Sequence, residues 1–206
     1  MLRIIAGDLR RRQIETARDG ATTRPLPDRV RGSIFNMLQG HVEGQPFVDV
    51  FAGSGSFGFE AISRGASECV FVERDRTALK LLRRNIEMLG IGDRARIAQA
   101  DALGPAALAS MPRPTHVLLF DPPYPMMQDE AQRGRIIDQF RRCAEMLDDT
   151  GYALLRTPWP FADAITSDEG EIIEHVVVPL AFEGLEGPET HVYGSTAVHW
   201  YMRSTS

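Results

Sequence analysis

Several residue types are scarce in this chain, and each scarcity narrows what the protein can be. Its 206 residues include only two cysteines, Cys69 and Cys143, which are too few for a disulfide framework or a cysteine-rich metal site. This usage favours a reducing, cytoplasmic compartment. No stretch approaches the roughly 20 apolar residues of a membrane-spanning helix, and the first residues lack the apolar region of a signal peptide. We therefore expect a cytoplasmic protein with no membrane partner.

Lysine is also scarce, because Lys80 is the only lysine among the 23 basic residues. The formal net charge of −5 argues against a general nucleic-acid binder. The charge is uneven, however: residues 1–35 contain eight arginines and four acidic residues, a net charge of +4, so the remainder carries −9. Arginine binds phosphate with two parallel hydrogen bonds and stacks on bases. A basic amino-terminal region predicts a local contact with a polyanion, although a codon bias toward arginine would give the same composition.

The order of apolar runs predicts an α/β fold. Residues 2–16 are typical of a β-hairpin with a turn at Gly7-Asp8, and a helix is expected from Asp28 to about Gly40. From residue 46 onward, strands alternate with helices, which indicates a mostly parallel sheet covered by helices on both faces. The predicted strands are 47–51, 68–73, 94–100, 115–120 and 151–156, and the predicted helices are 56–64, 75–89, 105–110 and 131–147.

The carboxy-terminal region departs from this alternation. Residues 171–178 and 191–202 are predicted strands without a clear long helix between them, which favours an antiparallel hairpin on the edge of the sheet. We therefore expect an amino-terminal hairpin-and-helix extension over residues 1–40 and a Rossmann-like domain over residues 41–206.

The first strand of the Rossmann-like domain leads into a glycine-rich turn. Asp49 lies on the strand, Gly53-x-Gly55-x-x-Gly58 follows, and Glu73 ends the next strand. This spacing satisfies the dinucleotide fingerprint, whose pyrophosphate binds at the helix amino terminus. Asp49 would repel a pyrophosphate, whereas it can pair with the ammonium group of S-adenosylmethionine. The acids therefore favour that cofactor, although Asp49 can also serve only to order the loop.

Two further acidic positions fit the same cofactor. Glu73 can accept the ribose hydroxyl protons, and Asp101, after the third strand, can accept from the adenine amino group. The predicted cofactor site consists of Asp49, Phe51, Ala52, Gly53, Ser54, Gly55, Glu73, Arg74, Asp101 and Ala102.

A second motif, Asp121-Pro122-Pro123-Tyr124, follows the predicted strand 115–120, at a strand end where ligands bind in open α/β sheets. The lone pair of an exocyclic amino group on a base is delocalised into the ring, so methylation requires that pair to be turned toward the methyl donor. The Asp121 carboxylate and the Pro122 carbonyl can each accept one N–H hydrogen bond. Prolines stiffen the loop, and Tyr124 offers a ring on which a base can stack. The four residues are the predicted catalytic group of an N-methyltransferase.

Together these motifs resemble those of the bacterial 16S ribosomal RNA guanine-N2 methyltransferases of the RsmD type. The segments that carry the resemblance are Arg3-Ile4-Ile5-Ala6-Gly7, Thr23-Arg24-Pro25, Asp28-Arg29-Val30-Arg31, Phe35-Asn36, Asp49-Val50-Phe51-Ala52-Gly53-Ser54-Gly55, Glu60-Ala61-Ile62-Ser63-Arg64-Gly65-Ala66, Asp121-Pro122-Pro123-Tyr124 and Tyr193-Gly194-Ser195-Thr196. The resemblance implies a class I, seven-stranded Rossmann-like methyltransferase with S-adenosyl-L-methionine as cofactor. It implies a guanine of 16S ribosomal RNA as substrate, within a small-subunit assembly particle. The acidic residues 160–190 match the family less well.

The resemblance also implies that the amino-terminal extension helps to bind RNA. Three adjacent arginines are predicted to lie on the second strand of the hairpin, although a solvated strand would look the same. The arginines expected to contact RNA are Arg10, Arg11, Arg12, Arg24, Arg29 and Arg31. No metal ion is expected.

Other functions remain open from the sequence. The tetrapeptide is shared with adenine-N6 DNA methyltransferases. A protein-glutamine methyltransferase is also possible, because the amide nitrogen of glutamine poses the same chemical problem. A nicotinamide-dependent dehydrogenase would explain the glycines and Glu73 but neither Asp49 nor the tetrapeptide. A non-catalytic RNA-binding assembly factor would explain the arginines and would not need the tetrapeptide.

Overall fold

The computed structural model of the protein describes residues 2–16, 27–166 and 172–204. In chain order its strands are β1 (Leu2–Arg3), β2 (Gln13–Ile14), β3 (Pro46–Val50), β4 (Glu68–Glu73), β5 (Ala95–Gln99), β6 (Thr115–Phe120), β7 (Leu147–Pro158), β8 (Ala162–Thr166), β9 (Ile172–Val177), β10 (Leu185–Tyr193) and β11 (Thr196–Arg203). Its helices are α1 (Asp28–Met37), α2 (Ser56–Ser63), α3 (Arg76–Leu89), α4 (Pro105–Ser110), α5 (Tyr124–Gln128) and α6 (Glu130–Ala144).

A seven-stranded sheet with the order β10-β11-β7-β6-β3-β4-β5 forms the centre of the protein. Strands β3 to β7 pair in parallel, while β11 pairs antiparallel with β7 and β10. The chain proceeds outward from β3 to β5 and then places β6 on the other side of β3. Ligands of open α/β sheets bind beyond the strand carboxyl ends at such a reversal. The predicted Rossmann-like sheet with an antiparallel edge hairpin is therefore confirmed.

Helices cover both faces of the sheet, and each face has its own apolar core. All six residues of β6 are buried, as expected for a central parallel strand. On one face α2 and α3 pack with the amino-terminal extension, through residues such as Ile4, Ile14, Val30, Phe35, Phe57, Ile62, Leu82 and Leu89. On the other face lie α4, α5 and α6, through Ala107, Met127, Ile136 and Phe140.

The extension is held to α2 by a buried carboxylate. Glu60 is 0% exposed, and its oxygens accept hydrogen bonds from the backbone N–H groups of Ile5 at 2.7 Å and Ala6 at 3.1 Å. The Arg64 Nε–H donates to the same carboxylate at 2.7 Å, so the buried charge is paired. The described residues of the extension thus share a core with the sheet, and the domain boundary at residue 40 stays a prediction.

The amino-terminal hairpin is shorter than predicted. Among the residues that the structure describes, its ladder consists of two residue pairs, Leu2 with Ile14 and Arg3 with Gln13. The segment that connects the two strands packs closely against the carboxy-terminal end of α2 instead, because a Cβ on Gly7 would lie 1.7 Å from the Ser63 backbone oxygen. The prediction that Arg10, Arg11 and Arg12 lie side by side on a strand is therefore wrong. The first two lie in the turn, Arg11 with φ 70°, and Arg12 precedes β2.

The carboxy-terminal strands also pair differently from the prediction. The edge hairpin is β10–β11, joined at Gly194 with φ 64°, whereas β9 pairs with β8 in a separate two-stranded sheet. The predicted strand 191–202 combined the end of β10, its turn and most of β11. The glycine in that turn was the sequence signal for two strands.

Candidate active site

The turn between β3 and α2 has a backbone that requires glycine. Gly53 and Gly55 have φ angles of 54° and 82°, and Phe51 also has a positive φ of 64°. A Cβ on Gly55 would lie 2.6 Å from Leu82 Cδ2, so this glycine is needed for packing against α3 as well as for its φ. The Gly53 N–H donates to Glu73 Oε2 at 2.8 Å, which fixes the turn to the end of β4.

Asp49 lies beneath this turn and is 2% exposed. Its Oδ2 accepts from the backbone N–H of Gly58, in the first turn of α2, at 3.0 Å. Burial raises the pKa of Asp49 well above its usual value; the Gly58 hydrogen bond lowers it, and the charges of Asp121 and Glu73 raise it further. The helix donor that a pyrophosphate would use is thus already bonded to a carboxylate. Three acidic groups converge here, which suits a cationic ligand.

The ends of β4 and β5 bring the remaining cofactor candidates together. Glu73 Oε1 accepts from the backbone N–H groups of Arg74 at 2.7 Å and Asp75 at 2.8 Å. Arg74 Nη1 lies 2.9 Å from Asp101 Oδ2, in an ion pair whose side chains are 64% and 44% exposed. Such an exposed pair contributes little to stability, so Asp101 can exchange this partner for a ligand. Ala102, next to it, is buried.

The Asp-Pro-Pro-Tyr segment lies directly beside the glycine-rich turn. The Asp121 backbone N–H donates to the Val50 carbonyl at 3.1 Å, which connects the end of β6 to the end of β3. Pro122 is buried, Pro123 precedes the short helix α5, and Tyr124 is its first residue. This helix was not predicted; proline fits at a helix start because no N–H is needed there.

Arg156 on β7 completes the site, and sequence reasoning missed it. The side chain is 5% exposed; its Nε–H donates to Asp121 Oδ1, and its guanidinium carbon lies 5.0 Å from the centroid of the Tyr124 ring. Burial raises the pKa of Asp121, while the charge and hydrogen bond of Arg156 oppose that increase. The only sequence signal was a charged residue at the end of an apolar predicted strand.

Two acceptors in the site remain available. Among the described residues, no donor bonds to Asp121 Oδ2 or to the Pro122 carbonyl oxygen. One face of the Tyr124 ring contacts Arg156, and the ring is half-buried. The site therefore offers two hydrogen-bond acceptors and one aromatic platform next to the predicted cofactor turn.

The six predicted RNA-binding arginines have different environments. Arg10, Arg11, Arg12 and Arg29 are exposed, and Arg24 lies outside the described residues. Arg31 is 1% exposed, and its Nη2 donates to the Arg3 carbonyl at 2.6 Å and to Asp28 Oδ1 at 3.0 Å. Helix α1 packs this side chain inward, so the prediction that Arg31 contacts phosphate on the surface is corrected.

No helix in the described part of the chain is long and apolar enough to cross a membrane. Within the same residues, no group of three or more His, Cys, Asp and Glu side chains is arranged to hold a metal ion.

Known proteins resemble this chain in sequence and in fold. The family described as Conserved hypothetical protein 95 matches residues 2–150. YlbH of Bacillus subtilis, provisionally described as an rRNA methyltransferase, is 35% identical over 153 residues, 73% of this chain and 79% of that protein. Ribosomal RNA small subunit methyltransferase D of Escherichia coli K12 is 36% identical over 123 residues, so the match spans 60% of each chain.

A solved structure extends the likeness to the whole fold. The Escherichia coli protein yhhF, provisionally described as a methyltransferase, superposes with a TM-score of 0.74 and 26% identity, covering 100% of this chain and 99% of that one. The architecture is therefore that of a Rossmann-like methyltransferase. With the family match over residues 2–150, the chain belongs to the Conserved hypothetical protein 95 family, which confirms the resemblance to the RsmD type.

Proposed function

We propose that this protein is an S-adenosylmethionine-dependent methyltransferase that methylates the exocyclic N2 amino group of one guanine in 16S ribosomal RNA. The observation that carries the proposal is the junction of two motifs. The hydrogen bond from the Asp121 N–H to the Val50 carbonyl, at 3.1 Å, holds the acceptor loop beside the glycine-rich turn. The rRNA methyltransferase names of two relatives support the substrate class.

The residues at the strand ends fit S-adenosylmethionine better than a dinucleotide. Asp49 takes up the α2 donor that a pyrophosphate would need, and its carboxylate suits the ammonium group of the cofactor. In this proposal, Glu73 accepts hydrogen bonds from the ribose hydroxyls, and Asp101 accepts one from the adenine amino group. The bound cofactor supplies a methyl group on a positively charged sulfur.

The acceptor loop orients the nitrogen that is methylated. The free Asp121 Oδ2 and the Pro122 carbonyl accept its two N–H groups, so that its lone pair faces the methyl group. Because these acceptors match the more tetrahedral nitrogen of the transition state, their contribution is mainly to the rate. The target base stacks on the face of Tyr124 opposite Arg156. A guanine is favoured over an adenine by the family membership alone, since this geometry suits either amino group.

The natural substrate in this proposal is a small-subunit assembly particle in the cytoplasm. Arg10, Arg11 and Arg12, which we call the hairpin arginines, are exposed and suit RNA phosphates. The test is mass mapping of ribosomal RNA from cells that lack the protein. We expect the loss of one N2-methylguanine from 16S RNA, restored by the wild-type chain and not by Asp121→Ala. A lost methyl group on adenine would make the base assignment wrong, and unchanged RNA would reject the proposal.

Cofactor identity needs a separate experiment. Calorimetry should detect binding of S-adenosylmethionine and no binding of NAD under the same conditions. Tighter binding of NAD would replace the methyltransferase proposal with a dehydrogenase.

A further inference from the structure

The hairpin arginines lie near the amino ends of the parallel strands, whereas the candidate active site lies at their carboxyl ends. Helices α2 and α3 begin at the carboxyl ends of the strands and run back to the amino ends. The hairpin turn contacts the far ends of both helices: the Asp8 N–H donates to the Ser63 carbonyl at 2.8 Å, and Arg12 Nη2 donates to the Met88 carbonyl at 2.8 Å. An RNA that touches both the hairpin and Asp121 must therefore cross the face between them.

Helix α3 spans that distance and has a basic outer surface. Arg76, Lys80 and Arg83 are spaced by four and three residues, which places them on one face of the helix, and all three are exposed. At 1.5 Å per residue, they cover about 10 Å along the axis. Among the described residues, none of the three has a carboxylate within 4.0 Å. We call these three residues the α3 stripe.

The simplest alternative is an ordinary solvated helix face. Helix α6, on the opposite face of the sheet, shows what such a face looks like here, because its exposed Arg135 and Arg142 alternate with Glu130 and Asp138. On α3, Glu87 is the only acidic residue of the helix. Of these two helices, the one on the route between the hairpin and the active site therefore has the less neutralised basic face.

Charge elsewhere in the chain strengthens that asymmetry. Residues 160–193 contain eight acidic residues and no arginine or lysine. They include β8 to β10, and β10 is the edge strand opposite the β5 edge that α3 flanks. A polyanion is therefore repelled from that end of the sheet and attracted to the side that carries α3.

We propose that the α3 stripe contacts the RNA backbone and carries it from the hairpin arginines to the acceptor site. The inference rests on the proposed function, since it needs an RNA substrate. Arg76 begins α3, two residues after Arg74 of the predicted cofactor site, so one end of the stripe lies next to that site. At its other end Arg12 joins the hairpin to α3 through Met88.

Lys80 allows a direct footprint of this contact, because it is the only lysine in the chain. An amine-reactive acylating reagent then modifies Lys80 and the terminal amine, and mass spectrometry resolves the two. Small ribosomal subunits from cells that lack the protein should reduce the modification of Lys80 several-fold. S-adenosylmethionine alone should leave it unchanged. Full reactivity of Lys80 in a saturated complex would overturn the proposal.

A matched pair of variants gives the second measurement. Replacing Arg76 and Arg83 with Gln should lower the salt slope of log affinity for the subunits by roughly 1.4–1.8, at about 0.7–0.9 per phosphate contact. Replacing Arg135 and Arg142 of α6 with Gln should leave the slope unchanged. Cofactor affinity, measured by calorimetry, should match wild type in both variants and verifies folding.

The outcomes separate this inference from the proposed function. If wild-type protein methylates the subunits but the α3 variant keeps the full salt slope, the stripe is a solvated face and the function stands. If wild-type protein neither binds nor methylates any small-subunit RNA, the proposed function itself is wrong.

Discussion

The candidate active site at the carboxyl ends of the strands, here called the cleft, differs in charge and in burial from the surface formed by the hairpin and α3. In the cleft, Asp49 and Asp121 are largely buried, with Arg156 as a partner of one of them. On the surface, the hairpin arginines and the α3 stripe are exposed. Interactions between buried charges are strong, because they are screened little. Each interaction of an exposed charge is weakened by salt, so exposed charges contribute when several of them act together. The cleft is therefore suited to a small cationic cofactor, and the surface to a long polyanion.

The largest expected effect of a single change is at Asp121. Asp121→Ala should lower the single-turnover methylation rate by about 10²–10³-fold, the scale for loss of one preorganised transition-state hydrogen bond. Affinities for S-adenosylmethionine and for RNA should stay within a few-fold, because the carboxylate acts mainly in the transition state. Rapid-quench assays with saturating substrate measure the rate. A near-normal rate would mean that Asp121 does not orient the acceptor.

Arg156 should have the next largest effect, and pH should reveal its role. The charge and hydrogen bond of Arg156 lower the Asp121 pKa against the effect of burial, so Arg156→Met should raise that pKa further. A protonated Asp121 is a weaker acceptor, so the acidic limb of the single-turnover rate should move to higher pH.

Arg156→Lys serves as the control for this change. Arg156→Lys keeps a positive charge beside Asp121 and should restore part of the pH profile. Arg156→Met removes one partner of a buried ion pair, a change that destabilises a protein by about 3–5 kcal/mol. If Arg156→Met lowers the rate equally at every pH, then Arg156 supports the fold and does not tune Asp121.

The sequence predicted the parts of the fold that local patterns determine. The bounds of β4, α4 and β6 match the prediction residue for residue, because each apolar run ends at a polar residue or a proline. The glycine-rich turn and the Asp-Pro-Pro-Tyr segment were found because each is contiguous in the chain.

Long-range contacts could not be predicted in this way. Arg156 and Asp121 are 35 residues apart, and their pairing follows from the register of β6 and β7. The burial of Arg31 likewise depends on how α1 packs against Arg3, 28 residues away. By contrast, the glycine between β10 and β11 was visible in the sequence, so that error came from reading a continuous strand through a turn residue.

Asp49 tests whether the cleft selects a cation. Its folded-state pKa is raised, so the folded protein binds this proton more tightly than the unfolded chain, and Asp49 lowers stability as pH rises above its unfolded pKa of 3.8. Asp49→Asn removes that penalty and keeps an oxygen for the Gly58 N–H. At pH 7 the free variant should be no less stable than wild type in urea, while its affinity for S-adenosylmethionine should fall by about 1–3 kcal/mol.

The alternative for Asp49, that it only orders the loop, predicts a different pattern. In that case, Asp49→Asn would leave cofactor affinity near that of wild type, because the Gly58 hydrogen bond is retained. Calorimetry and urea unfolding on the same preparation distinguish these results.

The smallest expected effect is at the hairpin, where charges are exposed and several arginines share the work. Replacing Arg10 and Arg11 with Gln should weaken binding to small ribosomal subunits and lower its salt slope by roughly 0.7–0.9 for each lost phosphate contact. Arg12 stays unchanged, because its bond to the Met88 carbonyl holds the hairpin to α3. Cofactor affinity should not change, since the cleft lies at the carboxyl ends of the strands and the hairpin lies near their amino ends. In a variant that carries all four substitutions, at Arg10, Arg11, Arg76 and Arg83, the losses in binding free energy should add, because separated sites without shared partners act independently. An unchanged slope would place the RNA surface away from the hairpin and leave the α3 stripe as its basic part.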